Sequence, residues 1–259
     1  MADPAQILAF EECSLNAWPA ANTLCYDGWL LRLNDGYTRR ANSVQPLYPS
    51  ALDVATKIAH CEQVYTARGL DTIFKLTPAA QPADLDAHLA ALGYFREAPT
   101  RVQTRQAPGD DAPGAGHCTL DAEITGRWLD AYARLSLLDP RHRPAFQRLL
   151  AGIVPEHRFA AVADQGAIVA VALVVLDRSC AGIFDVVVDP AFRRQGIGTD
   201  LLRHLLHWAS KRGARRAYLQ VTAANLPAQR LYANLGFRDA YTYWYRVKKA
   251  PTGCPGSAG

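Results

Sequence analysis

Two α/β domains joined by a short linker are the architecture that this 259-residue sequence predicts. Three observations carry that reading. Apolar residues make up 49% of the chain, enough to bury two modest cores. The segment Ala107–Gly116, APGDDAPGAG, is dense in Pro, Gly and Asp and has no periodicity. On both sides of it, strand-sized apolar runs and helical stripes follow one another in the same order. The boundaries read as a first domain at 1–106, a linker at 107–117, a second domain at 118–250 and a tail at 251–259, PTGCPGSAG, with the composition of a disordered segment.

Composition narrows the partners. Lys and Arg number 28 against 24 Asp and Glu, and the resulting +4 is spread along the chain, so neither a nucleic-acid nor a membrane partner is indicated. No apolar run approaches the ~18 residues of a membrane span. The first residues, Met1 to Glu12, lack the basic-then-apolar order of a signal peptide, so the expected compartment is the cytoplasm. The six cysteines are scattered, without a C-x-x-C pair or a histidine at ligand spacing, and read as reduced thiols with no metal. Nothing in the sequence addresses the oligomeric state.

In the second half, Thr125–Leu138 carries Trp128, Ala131, Leu135 and Leu138 on one helical face, and a shorter helix is predicted at Pro144–Gly152. Three β-like runs follow, at Arg158–Ala163, Ile168–Leu176 and Ala181–Val188. A strongly amphipathic helix from Ile197 to Arg212 ends at Gly213, as a C-terminal glycine would end it. A strand at Arg216–Val221, a helix at Pro227–Leu235 and a strand at Tyr241–Val247 complete the half.

The first half repeats this plan. An offset of 144 positions lays Pro46 on Pro190, His60 on His204, Arg68 on Arg212 and Gly69 on Gly213 without a gap. Later, Leu92-Gly93-Tyr94 echoes Leu235-Gly236-Phe237 with a slip of one.

The chemistry concentrates at Val186-Val187-Val188-Asp189-Pro190-Ala191-Phe192-Arg193-Arg194-Gln195-Gly196-Ile197-Gly198. A strand ends, the chain turns, and a helix opens on two glycines beside two arginines. Small residues there let backbone N–H groups approach an anion, and the helix N-terminus adds partial positive charge. A dinucleotide fingerprint is excluded because Leu201 stands where its third glycine is needed, and no Gly-Lys-Ser/Thr of a nucleotide-binding loop occurs. Downstream, Asn225, Ala228, Leu231, Tyr232, Gly236 and Phe237 read N-x-x-A-x-x-L-Y-x-x-x-G-F, with Ala228, Leu231, Tyr232 and Leu235 on one helix face.

R-x-x-G-x-G after an apolar strand, paired with this second motif, resembles the GCN5-related N-acetyltransferase (GNAT) superfamily over about Glu123–Arg246. The resemblance implies two such domains, each with a mixed, mostly antiparallel sheet flanked by helices, the first a degenerate copy. It implies acetyl-CoA as co-substrate and no metal. Backbone groups of Val186, Val187 and Val188 would pair with the pantetheine arm. N–H groups from Arg194 through Gln195, Gly196, Ile197 and Gly198 to Thr199, with Arg193 alongside, would hold the pyrophosphate. Asn225 and Ala228 would lie by the pantetheine or thioester. Tyr232, with an ordinary tyrosine pKa, would protonate the departing thiolate. Asp185 stands where the family often has an acidic residue, and reads equally as a general base, an ammonium anchor or a solvated strand-end carboxylate.

Other residues carry less. His204 and His207 share a polar helix face with Arg203 and Lys211 and read as surface residues, while Trp18 and Trp29 read as core. In the first half the same offset sets Pro49, Leu52 and Val54 against Arg193, Gly196 and Gly198, and a slip of one sets Leu89 against Tyr232. That half is expected to bind no cofactor and to shape or cover the acceptor site. The expected reaction is direct transfer to a primary amine of a small molecule. The alternatives are a protein or peptide amine, or an acyl-CoA-binding sensor without turnover.

Overall fold

The structure, a computed structural model, describes residues 2–106 and 112–251. The linker's residues 107–111 and the tail from 252 onward, with Cys254, lie outside the described residues. In chain order the elements are α1 (Pro4–Ala17), β1 (Asn22–Tyr26), β2 (Trp29–Leu33), β3 (Val44–Pro46), α2 (Val54–Thr66), β4 (Thr72–Leu76), α3 (Leu85–Ala91) and β5 (Phe95–Gln106). They continue as β6 (Thr119–Asp121), α4 (Gly126–Ser136), α5 (Arg143–Ala151), β7 (Glu156–Asp164), β8 (Ala167–Asp177), β9 (Cys180–Val188), α6 (Ile197–Lys211), β10 (Arg216–Thr222), α7 (Leu226–Asn234) and β11 (Arg238–Lys248). The series β1-β2-β3-α2-β4-α3-β5 therefore recurs as β7-β8-β9-α6-β10-α7-β11.

Local chemistry recurs with it. Both opening hairpins turn on two residues of positive φ, Asp27 (42°) with Gly28 (82°) and Gln165 (46°) with Gly166 (85°). That geometry matches the twist of the flanking strands. Gly69 and Gly213, at φ 65° and 86°, both follow the long helix of their series.

The chain divides into two compact units, and they are not the two consecutive halves that the linker suggests. Of the described residues, one unit holds those within 2–19 and 100–241; the other holds those within 20–99 and 242–251. The linker is visible in composition, whereas unit boundaries follow strand pairing, which is non-local. In the larger unit β6, β7, β8 and β9 form an antiparallel meander, β9 pairs with β10 in parallel, and β10 pairs antiparallel with β5. In the smaller unit β1, β2 and β3 are antiparallel, β3 and β4 parallel, and β4 and β11 antiparallel. The last strand of each series thus pairs with the penultimate strand of the other.

The apolar stripe of α6 predicted from sequence is the core of the larger unit. Leu201, Leu202, Leu205, Leu206 and Ala209 pack with Ala170, Ala172, Val174, Ile183 and Leu219. Helix α1, not foreseen from the sequence, starts on an Asp3 cap with Pro4 in its first turn and belongs to this unit. Its Glu11 carboxylate accepts from the Tyr241 hydroxyl at 2.7 Å, and Trp18, which follows it, stacks on Phe184 at 5.7 Å. The smaller unit packs Trp29, Leu31, Val44, Ile58, Phe74 and Leu85 in one cluster. Alternate residues of the same strands, Arg32, Gln45 and Lys75, are polar and also buried. Trp18 and Trp29 are core residues, as expected.

Candidate active site

The site starts from a defect in strand pairing. Val187 of β9 faces Val171 of β8, and Phe184 faces Leu173, so Asp185 and Val186 together oppose Ala172. This is a β-bulge, and Asp185 takes it up at φ 53°. Parallel pairing of β9 with β10 runs from Cys180–Arg216 to Ile183–Leu219 and goes no further among the described residues. Beyond that point β10 continues along β5, from Gln220–Val102 to Thr222–Thr100. The two strands part at the bulge, and the side of Val186–Val188 turned away from β8 has no strand partner among the described residues.

The turn after β9 is held by side chains. Asp189 accepts from the Ala191 N–H at 3.0 Å and pairs with Arg134 at 3.1 Å, and Arg134 also donates to the Ile168 carbonyl at 2.6 Å. Asp189 is a turn residue, as the sequence suggested. Arg193 Nε donates to the Val188 carbonyl at 3.1 Å, so this side chain braces the turn. Arg134 lies far away in sequence, and no local signal marks it.

Arg194 (φ 62°) and Gly196 (φ 85°) then bend the chain into α6. Gly196 is the N-cap and supplies no side-chain acceptor; the first intrahelical bond runs from the Asp200 N–H to the Gly196 carbonyl at 3.0 Å. The N–H groups of Ile197, Gly198 and Thr199 precede that bond and have no acceptor within the helix. An anion placed there meets three donors and the positive end of the helix dipole. The two glycines serve different ends. Gly196 is needed for its conformation, since a Cβ there would meet nothing within 4 Å. At Gly198 a Cβ would lie 3.3 Å from Leu231 Cδ2 and 3.6 Å from Val188 Cγ2, so this glycine lets α6 approach α7 and β9.

Helix α7 places the second motif. Asn225 caps it, with Oδ1 accepting from the Ala228 N–H at 3.2 Å, so both residues act in the helix start itself. Tyr232 is buried on the inner face, its ring 6.2 Å from Phe237. Burial pushes its phenol up to about 12, a correction to the ordinary value expected from sequence. Tyr232 belongs to the α6 core, and Val186, Val188, Ile197 and Ala228 pack against that core, so the strand edge, the helix opening and the tyrosine share one neighbourhood.

Sequence reasoning missed a neighbouring constraint. A Cβ on Gly182 would lie 2.6 Å from the Tyr218 hydroxyl, which is buried and has no hydrogen-bond partner among the described residues. His204, half-buried rather than fully exposed, lies 2.8 Å from the Gly116 carbonyl, and no metal-holding group of His, Cys, Asp and Glu occurs among the described residues. No described helix is long and apolar enough to cross a membrane.

The chain is 28% identical to the uncharacterized N-acetyltransferase YobR of Bacillus subtilis over 249 residues, covering 94% of this chain and 99% of that one. A 71-residue stretch, 27% of this chain and 47% of the relative, is 45% identical to the [Ribosomal protein bS18]-alanine N-acetyltransferase of Escherichia coli. Among solved structures, a GCN5-related N-acetyltransferase from Kribbella flavida superposes with a TM-score of 0.69 at 17% identity, covering 98% of this chain and 97% of that one. A family model described as "Probable histone acetyltransferase Rv0428c C-terminal" matches residues 4–246; the chain belongs to this family and is an N-acetyltransferase of the GNAT type.

Proposed function

We propose that the larger unit transfers an acetyl group from acetyl-CoA to a primary amine of a small molecule by direct attack. The observation that carries this reading is the uncapped start of α6, where Gly196 turns three N–H donors outward beside the unpaired edge of β9. Acetyl-CoA supplies an acetyl group activated as a thioester. N–H groups from Arg194 to Thr199 bind its diphosphate, and Arg194, exposed and extending from the same turn, adds positive charge. Amides and carbonyls of Val186–Val188 align the pantetheine arm as an added strand, and the Val187 or Val188 amide donates to the carbonyl oxygen as negative charge develops on it. Tyr232 holds its proton throughout the neutral range and delivers it to the leaving sulfur. Asp185, at the bulge, accepts the proton of the incoming amine directly or through water. Asn225 and Ala228 fix the start of α7 that presents Tyr232.

The smaller unit reads as a degenerate copy of the same fold, in a tandem arrangement. The turn-to-helix junction before α2 is already filled by carboxylates. Asp27 accepts from the N–H groups of Ala51 at 3.1 Å and Leu52 at 2.9 Å, and Asp53 accepts from Thr56 at 2.9 Å. Those backbone bonds hold the Asp27 carboxyl below its usual range, so it is ionised where a phosphate would otherwise sit.

Calorimetry with coenzyme A, beside a thiol-release assay with acetyl-CoA and an amine panel, tests the proposal. Heat without thiol release for any amine leaves a non-catalytic sensor, and no heat removes the cradle. The 71-residue match to a ribosomal-protein acetyltransferase favours a second reading, transfer to a protein α-amine. A peptide arm in the same panel separates the two.

A further inference from the structure

Two cysteines that the transfer reaction does not use face each other in the larger unit. Cys13 lies on the buried side of α1, and Cys180 is the first residue of β9; their thiols are hydrogen-bonded to one another. Both line a cavity of about 510 Å³ whose wall also carries Arg178, Arg215 and Arg216. We propose that Cys13 and Cys180 are a redox-active pair that closes a reversible disulfide, fastening α1 to the start of β9, when a small anionic disulfide enters this cavity.

Three observations distinguish this pair from the other described cysteines. The first is contact: a disulfide needs two sulfurs brought together by the fold, and this pair already shares a hydrogen bond across 167 positions of sequence. The second is reactivity. The hydrogen bond from Cys180, aided by the Arg178 guanidinium, holds the Cys13 thiol below its ordinary value despite its burial, and the opposing Asp177 carboxylate does not reverse this. Burial instead pushes Cys61 up to about 12 and Cys118 up to about 11, and the contact with Cys13 together with burial pushes Cys180 up as well, so within the pair Cys13 is the thiolate and Cys180 the proton donor. The third is access. Cys13, although buried, lines the same cavity as the partly exposed Cys180, and three guanidinium groups at that cavity draw in an anionic reagent.

The chemistry balances. The Cys13 thiolate attacks one sulfur of the small disulfide, forming a mixed disulfide and releasing one thiol. Cys180 gives up its proton, attacks the Cys13 sulfur and releases the second thiol. Two cysteine thiols are oxidised by two electrons, and the small disulfide is reduced to two thiols. A dithiol reductant reverses both steps. The cross-link closes a very long loop and ties down a helix that carries Trp18 onto Phe184, the residue before the bulge.

The test uses the full chain, reduced and then incubated with oxidised glutathione, digested without reductant and read by mass spectrometry. The expected product is a Cys13–Cys180 peptide pair about 2 Da lighter than its parts, abolished by dithiothreitol. The melting temperature should rise by about 5–10 °C in the wild type and in Cys25→Ser, which lacks the exposed thiol. In Cys180→Ser the same treatment should leave glutathione on Cys13 and no rise. Glutathione on Cys25 alone, with Cys13 and Cys180 both recovered as free thiols, overturns the proposal. Neither readout depends on acetyl transfer.

Discussion

The two turn-to-helix junctions of this molecule, ahead of α2 and ahead of α6, share a topology and differ in what closes the helix. Ahead of α2 the chain supplies its own anions: Asp53 caps the helix, and Asp27 takes the N–H groups of Ala51 and Leu52. Lys57, fully buried, donates to the Asp27 backbone carbonyl at 2.5 Å and lies 3.2 Å from its carboxylate. The junction is satisfied internally. Ahead of α6 the cap is a glycine without a side chain, and the strand before it carries a bulge that β3 does not have. On the proposed reading, the repeated element order separates scaffold from function. The scaffold survives in the strand–helix order, the I′-like hairpins and the helix-ending glycines, while the proposed anion binding depends on leaving one helix end open.

The open junction is most sensitive at Gly196. Gly196→Val puts a β-branched residue at φ 85° and should weaken coenzyme A binding more than about 100-fold by calorimetry. Retained tight binding would remove the open helix end from the account. Next in size, Tyr232→Phe should lower kcat by about 10–100-fold while coenzyme A affinity stays within about twofold. Because burial holds Tyr232 up to about 12, an alkaline limb of kcat below about pH 11 belongs to another group and should persist in this variant.

A smaller effect tests the closed junction. Asp27→Ala should destabilise the smaller unit at pH 7 without creating a coenzyme A site, because Pro49, Leu52 and Val54 remain. The native carboxyl lies below its unfolded value, so its stabilisation is present above the unfolded pKa and lost as pH falls through the lowered one. Urea midpoints of wild type and variant should therefore differ at pH 7 and converge toward pH 2. A second equivalent of coenzyme A bound by Asp27→Ala would show that the carboxylate alone had closed the first junction. Smallest of all, Gly69→Ala and Gly213→Ala should each cost about 1 kcal/mol by urea unfolding, since both positions have positive φ and open space for a methyl group. Unequal costs would mean that the shared scaffold is less alike than the element order implies.

Much of this was legible in the chain of residues, and the reason is local. The α6 stripe, Gly213, the glycines at Gly196 and Gly198, and the N-x-x-A-x-x-L-Y pattern announce a helix, its end and its chemistry within a few turns of chain. The repeat was legible because Pro, Gly and His stand at one constant offset. Residues whose roles arise across long stretches of chain were not legible. Nothing near Arg134 says that it braces the turn at Asp189, and nothing near Cys13 announces Cys180. Local sequence marks Gly198 as clearance for a ligand, whereas its neighbours Leu231 and Val188 give it a packing role.

Local sequence set most elements of the second half, the repeat and the position of the open helix, because hydrophobic period, capping chemistry and glycine φ act over a few residues. Folding settled which strands pair, and so moved α1 and the Thr100–Gln106 part of β5 into the unit of the second half. It also decided the elevated pKa of Tyr232 and the filling of the first junction by Asp27, because desolvation and hydrogen bonding depend on groups that only folding brings together.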